Sequence, residues 1–261
     1  MYHLAALEAA LAGSSFAGRL HFSALTGSTN TDALEAARAG APHGSVYFAD
    51  EQRAGRGRGD HGWQSDAGQG LYVSVLLRPS LPAARLPLLP LAAGLAAADA
   101  IHAASGLTAD LRWPNDLLIG ERKCGGILAE SKIKGGAVAF AVVGVGINVH
   151  QRGFDAGLAT AATSLDLEAG RRISRQALLI ALLESLEREA LGLQEESAGT
   201  ATAARLEEAS TWVRGRRVDV HGPQACTGVT AGLDEHGFLR IDTADGRVTV
   251  QTGGIRAAQI G

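Results

Sequence analysis

Three glycines and two arginines alternate at Gly55, Arg56, Gly57, Arg58 and Gly59 in the run GRGRGDHGW, which ends at Trp63. Such a segment makes a poor helix or strand, because glycine loses more backbone freedom on ordering than any other residue. What it can do is wrap around an anion. Glycine lets successive N–H groups converge on an oxyanion, and each arginine fork adds paired, charge-assisted bonds to phosphate or carboxylate. Trp63 would offer a flat apolar face to a base. The competing reading is a basic stretch that stays disordered or touches RNA, and the loop alone does not separate the two.

A second group of candidates lies in WPNDLLIGERKCGGILAE, residues 113–130. Lys123 precedes two glycines and a strand, where a compact ammonium could neutralise a carboxylate or phosphate. The chain has 24 basic residues, and its only lysines are Lys123, Lys132 and Lys134. A lysine in so arginine-rich a chain marks a place where a point charge is wanted, although Lys132 and Lys134 read equally as a solvated strand face. Asn115 and Asp116 fit a turn after Pro114 as well as a polar site. Cys124 has no histidine partner in view and is expected to pack as a small core residue. The GVGINV run at 144–149 has a G-x-G after a strand, but HQRGF follows instead of a helix, so it is no dinucleotide turn. No phosphate-loop motif exists, and the histidines have no metal-ligand spacing.

Composition narrows the classes. The 261 residues carry a net charge of -3, which argues against a general nucleic-acid binder. Two cysteines far apart give neither a redox nor a metal pattern, consistent with a reducing, cytoplasmic setting. The N-terminal MYHLAALEAALAG lacks the basic start of a signal peptide and is interrupted by Glu8. The apolar run at 86–101 contains Pro87, Pro90 and Asp99 and falls short of a clean membrane span.

The elements that must position these residues follow from the patterning. Strands are expected at 20–26, 45–50 and 71–79, and a helix follows the capping residues Thr29, Asn30 and Thr31. A helix should cover about 86–104, with its prolines confined to the first turns. Short extended pieces flank Pro114, and a β-hairpin turns at Lys134–Gly136. Helices follow at 174–193, N-capped by Ser174, and at about 199–212. Beyond that point short strands alternate with glycine turns, which predicts a small β-unit. The order gives an α+β fold with a main unit at 1–211 and an appendage at 212–261.

Taken in order, STN (28–30), EQRAGRGRG…W (51–63), WPND (113–116), RKCGGILAE (122–130) and GVGINV (144–149) resemble the biotin protein ligases. The resemblance runs from about residue 20 to the C-terminus. It implies a mixed-sheet catalytic domain followed by an SH3-like barrel. It also implies ATP-dependent formation of biotinyl-5′-AMP with Mg²⁺, then transfer of biotin to a lysine of a biotin carboxyl carrier domain of an acyl-CoA carboxylase. By position, Ser28, Thr29 and Asn30 would contact the biotin head group. Gln52, Arg56, Gly57 and Arg58 would hold biotin and the acyl phosphate, with Arg58 and Lys123 the catalytic pair. Lys123 would meet the biotin carboxylate and the α-phosphate. Trp63, Asn115, Asp116 and Asn148 would lie near the nucleotide, Asp116 also beside magnesium. The chain departs from the family where another glycine–basic pair is common, since it has Gly59, Asp60, His61 and Gly62 there.

The residue types suit this chemistry without the resemblance. A ureido ring is a rigid donor–acceptor group that matches short hydroxyl and amide side chains. Joining a carboxylate to a triphosphate requires their repulsion to be cancelled in fixed geometry. The alternatives are a lipoate–protein ligase, which lacks a loop of the GRGRG type, and a biotin-binding module without catalysis. The residues before Leu20 are too few for a three-helix DNA-binding unit, so neither DNA nor a membrane is an expected partner. Monomer and homodimer both stay open.

Overall fold

The computed structural model describes residues 2–59 and 61–258. Strands β1 (Leu20–Thr26), β2 (Ser45–Gln52), β3 (Gly70–Leu77), β4 (Asp110–Arg112), β5 (Asp116–Ile119), β6 (Arg122–Lys134) and β7 (Ala137–Asn148) build one sheet. Its order is β1-β2-β3-β7-β6-β5-β4. β1 and β2 are parallel, joined by helix α2 (Thr29–Arg38), as a parallel pair requires a crossover. The remaining pairs are antiparallel, among them the expected β6–β7 hairpin, so the sheet is mixed as the resemblance implied.

Strand alternation divides the labour between the two faces. Leu71, Val73 and Val75 of β3 and Val143, Val145 and Ile147 of β7 enter the main core. Helices α3 (Leu88–Ser105) and α5 (Arg175–Gly192) pack against each other and against this face. On the opposite face Leu76, Phe140 and Val142 seat Ala33, Leu34 and Ala37 of α2. Further along that same face Ser74, Gly144, Gly146 and Gly126 follow, small residues that leave room for a site between Tyr72 and Leu128.

Alanines let α3 approach its neighbours closely, and Gly106 ends it in a left-handed turn. By length and composition α3 is apolar enough to cross a membrane, but 67% of it is buried inside the protein. Helix α5 begins at the predicted N-cap, where Ser174 Oγ accepts the Ala177 amide hydrogen. Helix α1 (Leu4–Ala10), helix α4 (Leu165–Ala169) and the last strand were not anticipated. Helix α1 buries Leu7, and Leu11 just beyond it is buried too, so the N-terminal apolar residues serve the core. Helix α6 (Ala198–Ala209) completes the helical layer.

The C-terminal strands β8 (Arg214–His221), β9 (Cys226–Leu233), β10 (Leu239–Thr243), β11 (Gly246–Val250) and β12 (Gly254–Ala257) form a second sheet. Its order is β11-β10-β9-β8-β12, with antiparallel pairing throughout. The two sheets share apolar packing: Trp113 and Leu117 belong to the same core cluster as Trp212 and Leu239. Trp113 Nε1 donates to the Gly237 carbonyl at 3.0 Å. Arg112 and Arg216 stack over the Trp212 ring at 5.2 and 3.5 Å, a favourable cation–π arrangement.

Candidate active site

Backbone register builds the floor of the site. Tyr72 pairs with Gly146, Gly146 with Gly126, and Gly126 with Asp116, so one row crosses β3, β7, β6 and β5. The next row is Ser74, Gly144 and Leu128. From β3 to β5 this spans about 14 Å, three inter-strand spacings. Glycine is required where other groups lie directly on the main chain. A Cβ on Gly144 would fall 2.1 Å from Asn30 Oδ1, and one on Gly146 would fall 2.7 Å from Trp63 Nε1.

At one side of the floor stands a polar corner. Ser28, Thr29 and Asn30 are all buried at the start of α2. The Thr29 backbone N–H donates to Gln52 Oε1 at 2.8 Å, and Thr29 Oγ1 lies 2.8 Å from Ser74 Oγ. Ser74 Oγ donates to Asn30 Oδ1 at 2.6 Å, and Gln52 Nε2 donates to Ser65 Oγ at 2.8 Å. Short hydroxyl and amide groups are thus fixed by one another, a corner suited to a rigid donor–acceptor ring.

At the other side is a charged cluster. Asp116 Oδ1 lies 2.5 Å from Lys123 Nζ, and Asp116 Oδ2 lies 2.6 Å from Arg112 Nη2. Burial works to raise the Asp116 carboxyl, but Lys123 and Arg112 outweigh it and hold it below the usual range. Lys123 Nζ also lies 5.6 Å from the Trp63 ring centre. The backbone of Lys123 is pinned to residues 161–163, since its N–H donates to the Ala161 carbonyl and its carbonyl accepts from Thr163.

The glycine–arginine segment is folded, not trailing. Gly57 N–H donates to the His61 carbonyl at 2.7 Å, and Trp63 N–H to the Gly55 carbonyl at 2.8 Å. This fold lays the half-buried Trp63 across Gly146 and Gly126. Its Nε1 is buried without a hydrogen-bond partner. Arg56 forms a paired contact with Glu130 at 2.8 and 2.9 Å. Arg58 donates to the Gly253 carbonyl and, at 3.2 Å, to Thr252 Oγ1, which ties the segment to the C-terminal sheet. Burial lowers the Arg58 pKa, with Asp116 acting in the opposite sense. Asp60 lies outside the described residues.

Two predicted site residues are engaged in framing. Asn115 Nδ2 donates to the Ile127 carbonyl at 2.9 Å, clipping β6 beside β5. Asn148 is buried, donates to the Thr163 carbonyl at 3.1 Å and accepts from Gln151. Asp116, assigned to magnesium by the resemblance, here faces Lys123 with one oxygen and Arg112 with the other, and would offer an oxygen to the ion once Lys123 turns away. Among the described residues no cluster of three His, Cys, Asp or Glu suits a metal. Cys124 is fully buried with its thiol pushed up to about 12 by that burial, so it is no nucleophile. Ser74, Ser65, Arg112 and Glu130 join the site without having been picked from the sequence. Ser74 carried a signal, being the one serine within the apolar strand GLYVSVLL.

The sequence pattern of the biotin/lipoate A/B protein ligase family matches residues 22–148. The biotin–[acetyl-CoA-carboxylase] ligase of Mycobacterium tuberculosis is 36% identical over 238 residues, covering 89% of this chain and 86% of that protein. The chain belongs to the biotin protein ligase family. The bifunctional ligase/repressor BirA of Bacillus spizizenii is 39% identical over 163 residues, 62% of this chain. The match spans half of that relative's length (50%). A biotin protein ligase from Aquifex aeolicus, solved in complex with biotin and ATP, superposes with a TM-score of 0.78 at 29% identity. The superposition covers 92% of this chain and 98% of that one, so the biotin protein ligase fold extends through both sheets.

Proposed function

We propose that the chain activates biotin with ATP as biotinyl-5′-AMP and transfers the biotinyl group to a lysine of a biotin carboxyl carrier domain of an acyl-CoA carboxylase. One observation carries this reading. A floor with glycine at Gly126, Gly144 and Gly146 joins the hydroxyl–amide corner of Thr29, Asn30 and Gln52 to the cations Lys123 and Arg58, on a scale that suits an extended biotinyl nucleotide.

The division of roles follows from chemistry. Thr29, Asn30, Gln52 and the adjacent Ser28 hold the ureido ring. A biotin carboxylate oxygen attacks the α-phosphorus of ATP, forming one P–O bond while the bond to pyrophosphate breaks. Lys123 turns from Asp116 toward this group and neutralises charge, so catalysis rests on position and electrostatics. Arg56, Gly57 and Arg58 bring backbone N–H groups and guanidinium forks over the acyl phosphate, and Trp63 covers the nucleotide side. Asn115 and Asn148 keep the strand ends beneath the nucleotide in register. The acceptor lysine amine then attacks the acyl carbon and AMP leaves. We read residues 1–211 as the catalytic domain and 212–261 as a small C-terminal domain that backs the loop. The two free cysteines fit a cytoplasmic enzyme.

Intact mass measurement tests this directly. Incubation with ATP, Mg²⁺, a carrier domain and both biotin and lipoate should add one biotinyl group to the carrier. Transfer of lipoate in place of biotin, or no transfer at all, would overturn the assignment.

A further inference from the structure

Glu130 stands on the site face of β6, two strand repeats beyond Gly126, and its carboxylate does three things at once. Oε2 accepts from Asn30 Nδ2 at 2.9 Å, in the polar corner. Oε2 and Oε1 also accept from the two terminal nitrogens of Arg56, at 2.9 and 2.8 Å. Planar two-point pairing of this kind fixes orientation as well as distance. The pair is partly solvated, with 42% and 26% of the side chains exposed, so its value lies in geometry more than in stability. Asn30 in turn accepts from Ser74 with its other amide atom.

We infer that Glu130 is a positioning residue: it latches the glycine–arginine loop to the ring-binding corner by holding Arg56 and Asn30 on one carboxylate. This rests on the floor being the biotin site. The electrostatics fit the role. An unpaired carboxylate here would repel an incoming carboxylate, whereas one saturated by Arg56 and Asn30 leaves the neighbouring Lys123 and Arg58 to attract it. The latch also explains why a loop this rich in glycine adopts one folded form: its own backbone bonds are few, and Glu130 supplies the anchor from a rigid hairpin.

The test compares wild type, E130Q, E130A, R56A and the E130A/R56A double variant. Hydrogen exchange of the ligand-free proteins reads the latch itself at the Gly57 and Trp63 amides. Exchange there should quicken about tenfold or more in E130A and R56A, less in E130Q, and no further in the double variant. Biotin-dependent pyrophosphate exchange then reads the consequence. E130A should raise the KM for biotin about tenfold with the KM for ATP changed less than about twofold, and its effect should largely vanish in the R56A background. Unprotected amides in wild type, unchanged exchange in E130A, or equal E130A effects in both backgrounds would each overturn the latch. A wild type inactive with biotin would sink the proposed function instead, while the ligand-free exchange would still judge the latch.

Discussion

Lys123 Nζ and Asp116 Oδ1 lie 2.5 Å apart, with Arg112 closing on the other oxygen of the same carboxylate. In the proposed mechanism the Lys123 ammonium is therefore held by a built-in anion until substrate replaces it. Removing Lys123 as Lys123→Ala should lower biotin-dependent pyrophosphate exchange by about 10²–10³-fold, the scale of losing one aimed charge. Lys123→Arg should restore little, since a planar fork cannot stand in for a point charge. Exchange at the wild-type rate in Lys123→Ala would remove the residue from its role. Asp116→Asn leaves two cations facing one neutral amide and should cost about 1–3 kcal/mol, a figure reduced for partial exposure. Chemical denaturation measures it.

The glycine floor predicts steric effects of unequal size. Gly146→Ala places a methyl group on the Trp63 indole, which must lift away. Tryptophan emission should shift to the red and the KM for biotin should rise. Gly144→Ala drives a methyl group into the Asn30 amide and should destabilise by about 1–3 kcal/mol. Gly13→Ala, with nothing within 4 Å of the new carbon, serves as the control and should change neither.

Ligands should tighten the loop further. Trypsin cuts after Arg53, Arg56 and Arg58 should slow about tenfold when biotin and magnesium ATP are present together, and much less with ATP alone. Equal cleavage with and without both ligands would contradict a closing role for this segment.

Acid should weaken the fold in two separate windows. Burial lowers the pKa of His150, with Asp166 pulling the other way, and burial followed by Arg19 lowers His43. As pH falls below about 6.5 the unfolded chain takes up protons that the folded chain resists, so stability declines. His150→Gln should reduce that slope, and the remaining slope belongs to His43. Asp116 behaves differently, because its folded pKa is depressed. Its contribution is present above about pH 3.9 and is lost as pH drops through the lower folded value. Asp116→Asn should flatten only that more acidic limb. Denaturation midpoints across pH would reveal both.

Much of this was legible in the residues. Alternation and turn glycines gave the hairpin of β6 and β7 and the change to short strands after Trp212. Ser174 gave the start of α5. The motif residues Thr29, Asn30, Gln52, Asp116 and Lys123 do gather on one sheet face. What escaped depends on register or on distant packing. Glu130 is one of many glutamates until its pairing with Val142 of β7 turns it to the site face, two strand repeats beyond Gly126. Arg112 acquires meaning only when Asp116 folds back on it. Arg58 was expected over the acyl phosphate, and its contact with Thr252 joins residues nearly two hundred positions apart, which no local pattern encodes. The segment after Asn148 is irregular, so its grip on Lys123 through residues 161–163 left no periodic trace.

The floor of Gly126, Gly144 and Gly146 also bears on how selectivity is kept. Side chains lining a pocket can rotate and adapt, but two paired peptide ribbons, backed by the main core, cannot. A guest therefore meets a stencil whose depth is set by missing carbon atoms, and restoring even one of them would reshape the recess in a single step. Evolutionary retuning toward a bulkier or flatter acid would have to come from the rim, where the loop and the corner can move, and leave this ribbon lattice alone.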